Sequence, residues 1–248
     1  MRSRQLALER YDTDKIPNGY LERYDPVLLP WVDKGIKLLE IGIHEGASLL
    51  LWRDYFPSGI VVGIDSDPPP KALESEERIH MFQGRQEDSR FLSQVARRMA
   101  PEGFDIVIDD ASHIGELTRK AFWHLFDNHL KPGGLYVIED WGTGYWDDWP
   151  DGRAVGHTEP FLAAVSSWLV SLRRGRGKVP VPCHSYGMVG FIKELVDEQC
   201  AADVSRTSVR RSPTRQSRFE SLLVTPSIVF VRKASHRGGR DVGQEGTI

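Results

Sequence analysis

The feature that most constrains this chain is Phe104-Asp-Ile-Val-Ile-Asp-Asp-Ala-Ser-His113. A β-branched apolar run stops at two carboxylates, and a histidine follows Asp110 by one short turn. Farther on, Gly134-Leu-Tyr-Val-Ile-Glu-Asp-Trp141 ends another apolar run the same way. Short apolar runs bounded by glycine and acid read as strands buried on both faces, the pattern of a parallel sheet. Ligands of open α/β sheets sit beyond the carboxyl ends of such strands. Neighbouring strands of this kind bring Asp109, Asp110, His113, Glu139 and Asp140 to one rim. Clustered carboxylates repel one another, so the rim predicts a cation between them.

The chain before this rim alternates strand and helix. Lys37 to Ile43 is a strand that enters a turn with Gly42 and Gly46, and a helix from Ala47 to Tyr55 follows. Glycines between strand and helix let a ligand approach backbone amides at a helix N-terminus. The next strand, Ile60 to Asp65, ends in an acid about 20 residues past Gly46, the separation at which an acid meets a ribose hydroxyl. The dinucleotide pattern G-x-G-x-x-G is absent, which disfavours a nicotinamide-dependent oxidoreductase. Ile79 to Gly84 reads as a third strand. Asp88 to Met99 has helical spacing, with Phe91, Leu92, Val95 and Met99 on one face. A helix from Glu116 to Leu130 and a Lys131-Pro-Gly-Gly134 turn lead into the fifth strand.

The flanking regions are less patterned. Residues 1–12 read as a polar arm, and Thr13 to Tyr20 as a turn-rich loop. A helix is expected over residues 26–34 with Pro26 in its first turn, and another over 159–173 with Trp168 and Leu172 on one face. Two late strands are expected, Tyr186 to Lys193 and Ser227 to Arg232. Arg206 to Arg218 is a basic segment that by default is a solvated, mobile loop. Residues 234–248 lack periodicity and are expected to be disordered. The expectation is one domain over residues 1–233, with 1–30 as an arm that covers the ligand.

A formal net charge of -3 gives no electrostatic case for nucleic acid or an anionic membrane as partner. Cys183 and Cys200 lack zinc or redox spacing and read as thiols of a reducing compartment. The N-terminus has no apolar signal core, and no apolar run is long enough to span a membrane, so a cytoplasmic protein is expected.

Glu40-Ile-Gly42-x-x-x-Gly46, Asp65, Asp109-Asp110 and the Lys131-Pro-Gly-Gly134 turn together resemble class I S-adenosylmethionine-dependent methyltransferases. More narrowly, Thr13-Asp-Lys15, Gly19-Tyr20, Gly84-Arg-Gln-Glu-Asp88, Asp109 to His113 and Ile138-Glu-Asp140 resemble the metal-dependent sugar O-methyltransferases. These act on deoxysugars of macrolides of the mycinamicin type and on mycobacterial methylmannosides. Arg85 departs from the pattern, which has an acid there. The resemblance implies an α/β, Rossmann-like three-layer sandwich with a mostly parallel seven-stranded sheet and one antiparallel strand. It also implies a homodimer or higher oligomer, with a small-molecule or oligosaccharide acceptor. Lys15, Tyr20, Glu40, Gly42, Gly46, Ser48, Asp65, Gln86, Asp88 and Asp109 are the expected contacts of S-adenosylmethionine.

A sugar hydroxyl holds its proton tightly, so methylation needs in-line positioning and a proton acceptor. Asp110, Glu139 and Asp140 are hard oxygen donors suited to Mg²⁺ or Mn²⁺, and His113 is the candidate general base. Tyr145, Trp146 and Trp149, in a loop with glycine hinges, are candidates for stacking on a sugar. Each has a structural alternative: Asp88 as a helix cap, Asp65 as a turn acid, Asp109 as a turn cap, His113 as a core histidine, the acids as a hydrogen-bonded rim without metal. At the level of the protein, the rivals are a metal-independent methyltransferase with a non-sugar acceptor and a non-catalytic cofactor-binding module. An iron-dependent hydroxylase of the cephalosporin type is disfavoured because no His-rich iron site is present.

Overall fold

Seven strands form one sheet: β1 (Lys37–Ile41), β2 (Ile60–Asp65), β3 (Ile79–Gln83), β4 (Phe104–Asp109), β5 (Leu130–Glu139), β6 (Phe219–Val224) and β7 (Ile228–Lys233). The order is β3-β2-β1-β4-β5-β7-β6 in this computed structural model, which describes residues 1–158, 183–206 and 212–235. The first five strands are parallel, and β7 runs against both β5 and β6. Strand β7 is therefore the one reversed strand. The chain reverses direction in strand order beside β1, and the carboxyl ends of β1 and β4 flank that switch point.

Alternation along the strands feeds two cores. Leu38, Ile106, Ile108 and Val137 face one layer with α1 (Tyr20–Leu28) and α2 (Ala47–Tyr55). Leu39, Ile41, Val107, Tyr136 and Ile138 face the other, with α3 (Ser89–Met99), α4 (Gly115–Asn128) and α6 (Gly187–Gln199). The helix between them in sequence, α5 (Pro150–Thr158), packs beside the rim rather than under the sheet. The three-layer α/β sandwich expected from the sequence is the fold.

Several local expectations need correction. Tyr186 to Lys193 is no strand but the start of α6: Met188, Val189, Phe191, Ile192 and Leu195 recur at helical spacing and are buried. Only a window longer than the run itself separates that period from a strand. The helix expected at 26–34 starts instead at Tyr20, behind Gly19 in the left-handed region (φ 66°). Pro26 thus lies near its end, and one 3₁₀ turn, Leu29–Trp31, follows. The Lys131–Gly134 turn is absorbed into β5 as an irregularity. Leu130 pairs with Phe104 and Leu135 with Ile106, with the register slipping between them. The helix expected at 159–173 and nearly all of the 234–248 tail lie outside the described residues.

Residues 207–211 of the basic segment lie outside the described residues, and the part that follows them is not simply solvated. Arg215 makes a bidentate pair with Glu198 (2.7 Å to each oxygen), and Arg218 reaches the same carboxylate while its guanidinium lies 3.9 Å over the Trp123 ring. Burial acts to raise the Glu198 carboxyl, but the arginines outweigh it and hold it down at about 2.

Asp88 caps the helix that follows it. Its Oδ1 accepts from the amides of Arg90 and Phe91, both at 3.0 Å, capping α3. Asp88→Ala is expected to cost about 1 kcal/mol in urea denaturation. Its affinity for S-adenosylhomocysteine, measured by calorimetry, should change little.

Candidate active site

A cleft of about 680 Å³ opens over the carboxyl ends of β1, β2 and β4, a size that suits a nucleoside-sized ligand. Lys15, Gly42, Ser48, Asp65, Gln86, Asp110, His113 and Asp140, all expected from the sequence, line it. Tyr20, Glu40, Gly46, Asp88, Asp109 and Glu139 stand behind or beside this wall.

The glycine turn owes its shape to close approach. Gly42 has φ 86°, and a side chain there would put Cβ 2.2 Å from the Asp110 carbonyl oxygen. Gly46, at φ 81°, precedes α2, and its Cβ would meet the Leu73 side chain at 2.4 Å. Asp65 ties this turn to β2. Its Oδ2 accepts from the amides of Ile43 (2.8 Å) and His44 (2.9 Å), and Oδ1 accepts from Asp67 (3.1 Å). Burial opposes its charge, yet these amides hold its carboxyl below the usual range. Asp65 is therefore ionised, on the cleft wall, and partly committed to the turn.

Glu40 is fully buried beneath α2. Its oxygens take Ser48 Oγ (2.7 Å) and Trp52 Nε1 (3.1 Å), and burial pushes its carboxyl up. Ser48 thus spends its hydroxyl on Glu40. Gln86 fastens the loop after β3 to the loop after β4: its Oε1 accepts from the Ser112 amide (3.1 Å) and its Nε2 lies 3.4 Å from Asp109 Oδ1. Asp109 is buried next to the Tyr136 hydroxyl, and burial pushes its carboxyl up to about 7.

The acidic rim has two parts. In the deeper part, Lys15 Nζ lies 2.5 Å from Asp110 Oδ2, 2.9 Å from Glu139 Oε2 and 3.4 Å from Glu40 Oε1. Tyr24 donates to Glu139 Oε1, and Tyr20 donates to Asp140 Oδ1. Tyr20 and Tyr24 stand one helical turn apart on α1, so one helix face serves two consecutive acids. Burial and these carboxylates keep both phenols protonated. Nearer the cleft, Asp110, His113 and Asp140 each direct one donor atom to a common point, all within 4.8 Å of one another. His113 Nε2 lies 3.9 Å from Asp110 Oδ1 and 3.9 Å from Asp140 Oδ2. Glu139, expected beside the two aspartates as a metal ligand, turns instead to Lys15 and Tyr24.

Both His113 and Asp140 have φ 52°, in the left-handed region that non-glycine residues rarely occupy. Such backbone persists where its surroundings fix it, and here it aims the two side chains at each other. Trp149 packs edge-on against the His113 ring, with centroids 5.1 Å apart. Tyr145 and Trp146 are more exposed, and Tyr145 lies edge-on to His184. Tyr24 was not singled out in the sequence, although its spacing from Tyr20 marks it. Nor was Asp151, which lies 5% exposed where α4, α5 and α6 meet, and which nothing in its local sequence distinguishes.

Sheet order, glycine turn, strand-end acids and cleft define the fold of the class I S-adenosylmethionine-dependent methyltransferases. Over this domain the chain is similar to O-methyltransferases named for acting on glycosylated natural products. It is 43% identical over 148 residues to mycinamicin VI 2''-O-methyltransferase of Micromonospora griseorubida, covering 55% of this chain and 35% of that one. It is 34% identical over 200 residues to demethylmacrocin O-methyltransferase of Streptomyces fradiae, covering 73% and 49%. The solved MycE methyltransferase of the mycinamycin pathway, in complex with Mg and SAH, superposes with a TM-score of 0.64 at 32% identity, over 89% of this chain and 51% of that one. The chain therefore spans about half the length of these relatives or less. No protein-family model matches it. Among the described residues no helix is long and apolar enough to cross a membrane.

Proposed function

We propose that this protein transfers a methyl group from S-adenosylmethionine to a hydroxyl of a sugar on a glycosylated small molecule, with a divalent cation, Mg²⁺ or Mn²⁺, at the rim. The observation that carries the reading is the convergence of Asp110, His113 and Asp140 at the mouth of a methyltransferase cleft. Two hard carboxylate oxygens suit such an ion, with the His113 imidazole beside them, and the MycE structures that this chain resembles hold Mg and SAH. When bound, the cofactor supplies an activated methyl on a sulfonium and the ion acidifies and orients the acceptor hydroxyl.

The chain's own residues do the rest. Asp110 and Asp140 would hold the ion, with Glu139 a third oxygen ligand where Lys15 yields its Oε2. His113, whose Nε2 lies 3.9 Å from both acids, takes the hydroxyl proton at Nε2. Gly42 and the turn after it receive the cofactor, and Asp65 faces its ribose. Trp149, with Tyr145 and Trp146, supplies aromatic surface for the sugar. The net charge of -3 supports a small acceptor rather than a nucleic acid. A cytoplasmic location and a homodimer or higher oligomer complete the reading, the latter open to light scattering.

One observation favours a second reading. Lys15 already supplies a positive charge among Glu40, Asp110 and Glu139, which suits a methyltransferase that works without metal. Calorimetric titration of Mg²⁺ into protein saturated with S-adenosylhomocysteine separates the two. Binding is expected in the parent protein and is expected to vanish in Asp140→Ala. No heat in the parent protein would shift the case to the metal-free enzyme.

A further inference from the structure

Lys15 is the residue whose surroundings ask for more explanation than cofactor contact provides. Its ammonium is 1% exposed and faces three carboxylates from two strands and the loop after a third. An ammonium buried alone would be very unfavourable, and so would Glu40 and Glu139, which are also fully buried, without a cation. Each solves the problem of the other. The same arrangement creates a conflict. A divalent ion at the rim is attracted to the oxygens that Lys15 engages, and two cations drawn to one set of oxygens repel each other.

The oxygens are already divided. Lys15 takes Asp110 Oδ2 and Glu139 Oε2, while Tyr20 and Tyr24 take Asp140 Oδ1 and Glu139 Oε1. Asp110 Oδ1 and Asp140 Oδ2 face His113. Lys15 lies in the turn between Thr13 and Gly19, whose backbone is closed by Gly19 N to Ile16 O and Tyr20 N to Lys15 O. The side chain therefore pins this N-terminal segment to the cleft, where Asp12, Thr13 and Asp14 also line the wall.

We propose that Lys15 is a built-in counter-cation that competes with the divalent ion for Asp110 and Glu139, so that metal binding and docking of the N-terminal segment through Lys15 oppose each other. This rests on the metal-dependent reading above. Because coupling is reciprocal, whatever the ion does to Lys15, Lys15 does to the ion. It makes Lys15 a positioning residue, which holds the acids together until the ion arrives and weakens the ion's grip once it has.

The test is Lys15→Met, which keeps the length of the side chain and removes its charge, compared with the parent protein. Mg²⁺ affinity is read by calorimetry with S-adenosylhomocysteine present, and melting temperature is read in EDTA and in Mg²⁺. The expected pattern is crossed: Mg²⁺ binds about tenfold more tightly or better, because a unit charge near the ion is gone. Meanwhile the metal-free protein melts lower and Mg²⁺ restores it. A merely structural lysine would lower both quantities together. Mg²⁺ affinity that is equal or weaker in Lys15→Met, with the parent protein binding normally, overturns the competition alone. Mg²⁺ bound by neither protein overturns it together with the metal-dependent reading. If Lys15→Met does not fold in EDTA, Lys15→Met/Glu139→Gln restores the charge balance and should fold. Failure of that double variant to fold, with or without Mg²⁺, also counts against the proposal.

Discussion

His113→Asn is expected to lower kcat for the proposed sugar methylation by about 10²–10⁴-fold, the usual range for loss of a general base, or roughly 3–5 kcal/mol in the barrier. Binding of S-adenosylhomocysteine should be little changed, because the turn around Gly42 and Asp65 does not depend on His113. Asparagine is the informative substitution. Position 113 has φ 52°, which asparagine tolerates, whereas alanine would add backbone strain to the loss of the imidazole. Nε2 lies 3.9 Å from both Asp110 Oδ1 and Asp140 Oδ2, which places the proton acceptor beside the proposed metal ligands. The Trp149 edge covers one side of the ring and limits its motion. Single-turnover rates with a glycoside acceptor, beside calorimetry with S-adenosylhomocysteine, check both halves. A variant that keeps the parent's single-turnover rate would remove His113 from the proton transfer.

The sequence made the rim legible because strand ends are local events. The run Ile106 to Ile108 and its two acids could be placed at a carboxyl end from type and order alone. The same holds for Gly42, where the close approach of the Asp110 carbonyl demands a residue without Cβ. What could not be read is which oxygen faces which partner. Lys15 reaches Asp110 and Glu139 across about a hundred residues of chain or more, and no spacing rule announces that pair. The sequence asked for a cation among the acids, and one answer was a lysine elsewhere in the same chain. Period was the other point of failure. Gly187 and Gly190 interrupt a short apolar run and suggest a strand, while Leu195, one further turn on, belongs to the same buried helical stripe. Asp88 illustrates a third kind of ambiguity: an acid before a helix satisfies a capping rule and a ligand-binding motif equally, and the amides of Arg90 and Phe91 show that it caps α3.

The second large effect is expected away from the rim, at Asp151. Asp151→Ala should destabilise the protein by about 3–5 kcal/mol, since one buried carboxylate oxygen accepts two backbone amides and charged hydrogen bonds are each worth about 1.5–3 kcal/mol. Those amides are Gly115 N at the start of α4 and Met188 N at the start of α6, both at 2.7 Å. Two helix N-termini, each carrying partial positive charge, therefore point at one anion. Glycine is required where they cross. A Cβ on Gly115 would lie 2.1 Å from the Gly187 carbonyl carbon, and one on Gly187 would lie 2.2 Å from Asp151 Cγ. Removing the carboxylate leaves two buried amides without an acceptor and no room to move the helices closer. At about 2–4 °C per kcal/mol for a domain of this size, the melting temperature should fall by roughly 10 °C. Asp151→Asn, which keeps an oxygen acceptor without the charge, should lose less. The consequence for catalysis follows from position. Gly115 lies two residues past His113, and Asp151 lies two past Trp149, so this one carboxylate holds both sides of the candidate base. The alanine variant should therefore lose kcat at temperatures where it is still folded, a loss that urea denaturation and activity measured on the same preparation can separate. If Asp151→Ala unfolds within about 1 kcal/mol of the parent, the two helix starts do not depend on it and the base is held by Trp149 and the rim alone.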